Sequence, residues 1–400
     1  MNKKVSLGAA ISFAAIIAAV TFIITINFSI GEFNLRISDV RQRESMYKKV
    51  AELDTLIRKS YDGKIDEAAL LDAISKGYVN GINDKYARYF TSEELKRFTE
   101  ENEGTLVGIG VSVEETESGY LKIVNVYDNS PANTAGFKSG DLIIKIGNKD
   151  IATAGYSSAV ALIKGNAGTK VKITIRRGGV DKPEQELIRK QVVIPSIEYK
   201  MVSGSNGYIK ITDFNTSTIT QFTEAVNKLQ ADGARSLIFD LRNNSGGTLE
   251  SVTRILDILL PVGDIATATY PDGRQEVIAK SDEISVELPM FTIGNGNSAS
   301  ASELFIAALR DYKKAQMIGT KTYGKGVMQT TFPLSDGSGV SITTAHFNPP
   351  SNVNFNGKGI EPDYSVPLTS EQEIAILKSE YTKDPQIMKA IEVANTAIGQ

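Results

Sequence analysis

Four hundred residues, at roughly 100–200 per domain, predict two to four domains with at least one sizeable core. No cysteine is present, which excludes disulfide frameworks, thiolate nucleophiles and thiolate-ligated metal centres; the single histidine, His346, excludes every site that needs two imidazoles. Forty-four basic and 47 acidic residues give a net charge of −3, no electrostatic footprint for a nucleic-acid backbone.

From Val5 to Gly31 no side chain is charged, and the run exceeds the roughly 20 residues that a bilayer-spanning helix needs. Lys3 and Lys4 precede it and Glu32 follows, so the positive-inside tendency keeps the amino terminus cytoplasmic and sends the rest across. Residues 1–31 therefore read as a cytoplasmic tip and transmembrane signal-anchor. Cleavage at the small-x-small triplet Ser29-Ile30-Gly31 is the alternative, with a secreted product; the length of the apolar run favours the anchor. Beyond it, residues 32–103 are charged and helix-periodic, with Leu53, Ile57, Tyr61 and then Leu70, Leu71, Ile74, Tyr78, Ile82 spaced by three and four. This is a helical module, read as a spacer or a segment for homodimer formation.

At Gly104 the pattern changes to short apolar alternations: Gly110–Val113, Leu121–Val126, Leu142–Ile146 and Val171–Ile175. Strands at that density predict a compact, mostly β domain over 104–193. From 194 to 367 strands alternate with helices: a strand at Gly207–Ile211, a helix over Thr218–Ala231, a buried strand at Ser236–Leu241, a helix over Thr248–Leu260, and a strand at Met290–Ile293 leading to a helix through Leu309. That order implies an α/β layer arrangement, in which sites form past the carboxyl ends of strands. Both Gly246-Gly247 and the cluster Ser298–Ser302 fall there. A charged helical tail, 368–400, closes the chain.

Ser300-x-x-Glu303 has the form of a capping box, and helix-start serines commonly satisfy free amides. A nucleophile at the same place would gain from those amides and from the helix dipole, which stabilise a developing oxyanion. The two readings are compatible. A serine hydroxyl needs a base. Either His346 supplies it, or Lys325, in Thr322-Tyr323-Gly324-Lys325-Gly326-Val327-Met328-Gln329, does so once desolvation lowers its pKa from about 10.4. The residue census fits the Ser–Lys pair better.

Two resemblances sharpen this. Ser130-Pro131-Ala132 and Ala135–Asp141, placed before Leu142–Ile146, resemble the PDZ domain of bacterial proteases. There a glycine loop, here Gly108-Ile109-Gly110-Val111, presents amides to a peptide carboxylate, and the adjacent strand edge pairs with the peptide. Asp240–Gly247, Ser298–Glu303, Thr322–Gln329 and Gly357–Asp363, in that order, resemble the C-terminal processing peptidases, or tail-specific proteases.

The second resemblance implies an α/β (α+β) multidomain protein with a peptidase core of crotonase-like type. It makes Ser300 the nucleophile and Lys325, twenty-five residues on, the general base. It also implies that Gln329 orients the lysine, one helical turn away if that stretch is helical. The oxyanion hole falls to backbone amides of Gly246 or Gly247 with Ala301, with Glu303 and Thr322 in support. Asp311 matches an acidic position of some members and reads as structural, since an aspartate beside the base would raise its pKa. Asn297 stands where a glycine is common, Pro349–Val353 lacks the usual Ser-Gly-Arg run, and His346 reads as an ordinary strand residue. The expected protein is a membrane-anchored extracytoplasmic serine endopeptidase acting on exposed carboxy-terminal tails, without metal or organic cofactor. The competing readings are a PDZ-based binding protein with an inactive peptidase-like domain, and a Ser–His hydrolase using His346.

Overall fold

The computed structural model describes residues 41, 43–283, 285–377 and 383–399. The apolar run over residues 5–31 lies outside them, and among the described residues no helix is long and apolar enough to cross a membrane. The chain divides into two units, one ending at Ala73 and one from Ile74 onward. In the first, helix α1 (43–60) is tied to the start of α2 (Glu67–Asn80) by Arg58, whose guanidinium reaches Glu67 at 2.6 and 2.8 Å and Asp54 at 2.8 Å. Leu53, Ile57 and Tyr61 of the predicted stripe are exposed.

The second unit departs from the all-helical expectation at once, because Arg88–Phe90 is a strand, β1, before α3 (Ser92–Glu103). Thr91 and Glu94 close a reciprocal capping box on α3, and Gly104 ends it at φ +73°. Next, β2 (Thr105–Gly108) pairs antiparallel with β10 (Lys190–Val193), so the intervening β domain leaves beside where it enters. That domain holds β3 (Val111–Glu115), β4 (Leu121–Val126), α4 (Pro131–Thr134), β5 (Leu142–Ile146), β6 (Lys149–Asp150), α5 (Ile151–Ala154), α6 (Tyr156–Ile163), β7 (Lys170–Arg177), β8 (Val180–Asp181) and β9 (Gln185–Ile188). Its sheet runs β3-β4-β5-β7-β8, with β6 on β5 and β9 on β7. Period-two alternation drives Leu121 and Ile123 of β4, and Val171, Ile173 and Ile175 of β7, into one core with Ile109 and Ile143.

The α/β core is a six-stranded sheet in the order β11 (Ile197–Val202), β12 (Asn206–Ile211), β13 (Ser236–Asp240), β16 (Met290–Gly294), β17 (Ala315–Gly319), β20 (Tyr364–Ser365). It is parallel from β12 onward. Both faces are covered at its centre, so β13 and β16 are buried along their whole length rather than alternating. Leu237 and Phe239 of β13 face α7 (Thr216–Ala231), α8 (Leu249–Leu259) and α9 (Ala301–Asp311), while Ile238 faces α11 (Pro385–Ala397). The carboxy-terminal segment is therefore more than a charged tail. After α10 (Ser370–Leu377), α11 buries Ile387, Ala390 and Ala394 against the sheet, and Asp384 at its N-cap pairs with the buried Arg242 at 2.7 Å. A second sheet, antiparallel, joins β1 and β18 (Val327–Pro333) to β19 (Gly339–Asn348), β19 to β14 (Gly263–Thr269), and β14 in turn to β15 (Gln275–Ser281).

Candidate active site

The loops that follow β13 and β16 lie side by side because those strands are parallel neighbours. Side chains join them. Asn243 N–H donates to Asn295 Oδ1 (3.1 Å), and the amide groups of Asn295 and Asn297 donate to Asn243 Oδ1 at 3.0 and 2.9 Å. Asn297, where the resemblance expects glycine, thus acts as a tie between loops. Ser298 Oγ donates to Leu241 O (2.8 Å) and Ser302 Oγ to Asn244 O (2.9 Å), both wholly buried. Two of the three clustered serines are therefore committed to holding the loops together. Ser300 alone of the three lines the adjoining cavity.

Ser300 sits at φ 56°, ψ −115°, a region that costs a non-glycine residue about 1–3 kcal/mol and persists only where surroundings enforce it. Enforcement comes from Glu303, which is wholly buried. Its Oε2 accepts the N–H of Ser300 at 2.9 Å and that of Lys325 at 2.8 Å; its Oε1 accepts Gly324 N–H at 2.7 Å and the Thr322 hydroxyl at 2.6 Å. The backbones of Ser300 and Lys325 are thus two hydrogen bonds apart through one oxygen.

Gly246 (φ +116°) and Gly247 (φ +140°) pass so close to neighbouring backbone that a Cβ on Gly246 would lie 2.9 Å from Ser300 Cβ, and one on Gly247 2.3 Å from Phe214 O. Gly246 N–H donates to Asn244 Oδ1 at 2.8 Å, which removes it from the expected oxyanion hole. Gly247 and Ala301 remain, both on the cavity wall beside Ser300.

That cavity, about 460 Å³, is lined by Ser300, Lys325, Gln329 and Tyr86, with Phe90, Leu249 and Met328 among its apolar walls. Burial pushes the Lys325 ammonium below its usual range, the direction a general base needs. Its Nζ lies 4.7 Å from the centre of the Tyr86 ring. The expectation of a helical turn between Lys325 and Gln329 is corrected: the residues from Val327 form β18, with an irregularity between Met328 and Gln329. Gln329 still reaches the cavity, its Nε2 donating to Thr343 Oγ1 at 3.1 Å. Asp311 lies elsewhere, accepting Ser351 N–H at 2.9 Å. The Pro349–Val353 stretch does not line the Ser300 cavity, nor does His346, which is exposed on β19. In the β domain, Gly110 takes φ +78° between β2 and β3, while Ile109 O and Gly110 O accept Ala132 and Tyr127 N–H, both at 2.9 Å. Sequence reasoning missed Asn244, Lys85 and Tyr86; the last two stand in what reads as an interhelical loop, with no spacing that ties them to Lys325.

A serine on a strained helix start, a half-buried amine and an anchored glycine loop thus meet at one cavity, an arrangement compatible with a serine hydrolase. The models for peptidase family S41 and for the PDZ domain match residues 205–366 and 107–184. The "Carboxy-terminal processing protease CtpA" of Bacillus subtilis is 32% identical over 385 residues, covering 96% of this chain and 81% of that protein. The "Probable CtpA-like serine protease" of Staphylococcus haemolyticus is 32% identical over 368 residues, covering 90% and 72%. Among solved structures, a "Putative S41 protease" of Bacteroides fragilis shares the fold with a TM-score of 0.52 at 17% identity, over 86% of this chain and 96% of that one. The chain belongs to peptidase family S41, as a serine peptidase of the C-terminal processing type with an embedded PDZ domain.

Proposed function

We propose that this protein is a membrane-anchored, extracytoplasmic endopeptidase that selects polypeptides by their carboxy-terminal tails and cleaves them with Ser300 and Lys325. The observation that carries the catalytic assignment is the shared Glu303 oxygen, which brings the two backbones together at one cavity. In the reaction, the neutral Lys325 amine takes the Ser300 hydroxyl proton as Oγ attacks the peptide carbonyl. Gly247 and Ala301 N–H groups stabilise the oxyanion. Collapse breaks the C–N bond, and the Lys325 ammonium gives its proton to the departing amine. Lys325 then activates water, which hydrolyses the acyl-serine ester and returns the proton to Ser300. Gln329, which lines the same cavity with its nitrogen held by Thr343, is the residue assigned to orient the lysine. The PDZ loop Gly108–Val111 offers amides to the tail's carboxylate, and β3, an edge strand, offers its free side for strand addition.

The test uses the full chain in mild detergent, with wild type beside Ser300→Ala and Lys325→Ala, an unfolded protein with an apolar carboxy-terminal tail as substrate, and mass spectrometry as readout. Cleavage by wild type alone, lost when the tail is amidated, supports the reading; cleavage by Lys325→Ala refutes the base. The cysteine-free chain also lets topology be measured directly. A single Asp272→Cys in the exposed turn between β14 and β15 reacts with a membrane-impermeant maleimide on intact cells, or on spheroplasts where an outer membrane intervenes, if the peptidase is extracytoplasmic; labelling only after lysis refutes that location.

A further inference from the structure

We propose that Lys85 is a positioning residue for catalysis: its ammonium, held on the Tyr86 ring beside Lys325, supplies the positive charge that keeps the Lys325 amine free. This rests on the assignment of Lys325 as the base. The Asp84–Tyr86 turn is fixed in place. The Asp84 carboxylate accepts Tyr86 N–H at 2.9 Å and Thr343 N–H at 3.1 Å, and from Arg88 onward the chain is paired to β19 as β1. Tyr86 is thereby set into the cavity wall.

Two lysines share that ring. Lys85 Nζ is 4.6 Å and Lys325 Nζ 4.7 Å from its centre, so the ammonium positions are no further apart than the sum of those distances. Lys85 also lies 5.6 Å from the Tyr323 ring, two residues before Lys325. Neighbouring like charges oppose double protonation, and the proton stays where hydration is better. Lys85 is exposed and Lys325 half-buried, so Lys325 yields it.

The other groups around Lys325 do not cancel this. Asp84, held ionised by two amides, acts in the opposite sense but ranks behind Lys85 in its effect on Lys325. The Glu303 oxygens are turned onto four donors, among them the Lys325 backbone N–H. Ser300 and Gln329 are neutral, Arg88 adds a second positive charge to the wall, and His346, across from Val327, is exposed. After burial, Lys85 is the next cause that lowers Lys325, and the adjacent Tyr86 phenol leads in raising Lys85 itself.

The experiment is kcat/KM against pH for the full-length protein: wild type, Lys85→Gln, Lys85→Arg and Lys325→Ala, at low and high salt. Losing the charge moves the acid limb of Lys85→Gln to higher pH by about half a unit, roughly threefold in rate on that limb, with the plateau kept. Lys85→Arg retains the wild-type limb. High salt moves wild type toward Lys85→Gln, because an exposed charge is screened. Coincident limbs for wild type and Lys85→Gln, with Lys325→Ala inactive, overturn this inference alone. An active Lys325→Ala overturns the base assignment beneath it. A lower plateau in Lys85→Gln without a shifted limb also overturns it, since it marks a substrate contact instead.

Discussion

Glu303→Gln tests whether one buried carboxylate assembles the site. The substitution keeps shape and volume but replaces one acceptor oxygen with an NH2 group that only donates. Whichever oxygen is lost, two donors then face a donor: Thr322 Oγ1 and Gly324 N–H at 2.6 and 2.7 Å, or Lys325 and Ser300 N–H at 2.8 and 2.9 Å. Hydrogen bonds to charged groups contribute roughly 1.5–3 kcal/mol each, so the change costs about 3–6 kcal/mol, divided between global stability and release of the strained Ser300 backbone. Any release displaces the nucleophile from its base, and a 1 Å displacement costs on the order of 100-fold in rate. Urea unfolding gives the first part; kcat/KM and labelling of Ser300 by a serine-directed phosphonate give the second. Thr322→Val removes one donor to Glu303 and the acceptor of Ile360 N–H (2.7 Å), but leaves both bonds that link Ser300 to Lys325, so it should lower stability with a smaller loss of kcat/KM than Glu303→Gln. A Glu303→Gln protein within about 1 kcal/mol of wild type and within about threefold in kcat/KM would refute the reasoning.

Three further outcomes follow from the same geometry. Ser300→Gly should melt higher than Ser300→Ala, by a margin of about 1 kcal/mol, because only glycine relieves φ 56° without cost; equal melting temperatures would remove the strain argument. Asp384→Ala leaves Arg242 buried with Asp240 as its remaining charged partner and should cost about 3–5 kcal/mol in urea unfolding, although it lies in α11's cap and outside the peptidase cavity. Lys325 has a folded-state pKa below its unfolded value of about 10.4, so the unfolded chain binds more protons between the two, and stability rises with pH through that window. Lys325→Met should therefore raise the melting temperature at neutral pH, with the gain shrinking as pH approaches 10.4; a constant gain would contradict a depressed lysine.

Reading from sequence worked best where one residue type has one physical use. Period-two alternation in Leu121–Val126 and Val171–Ile175, and the unbroken apolar run at Ser236–Leu241, determine strands and their number of buried faces locally. The serine cluster before α9 and the glycine pair before α8 likewise mark loops at strand ends. Gln329 reaches the cavity from a strand and not from a helical turn, because the spacing Lys325-x-x-x-Gln329 says nothing of pairing with Thr343, fourteen residues on. β1 was missed because Arg88–Phe90 is three residues long and becomes a strand only by meeting Ser341–Gly339.

By itself, the chain's composition removed thiol and paired-imidazole chemistry, and its ordered motifs nominated Ser300 and Lys325. Tertiary structure decided which groups around them are free. It committed Ser298 and Ser302 to loop ties, withdrew the Gly246 amide onto Asn244, turned Glu303 from a helix cap into the link between two backbones, and carried Lys85 and Tyr86 to the lysine from more than two hundred residues away. The reason is one of range. Backbone propensity and hydrophobic period act over a few residues, whereas hydrogen-bond satisfaction and charge proximity are settled only when distant segments share a buried space.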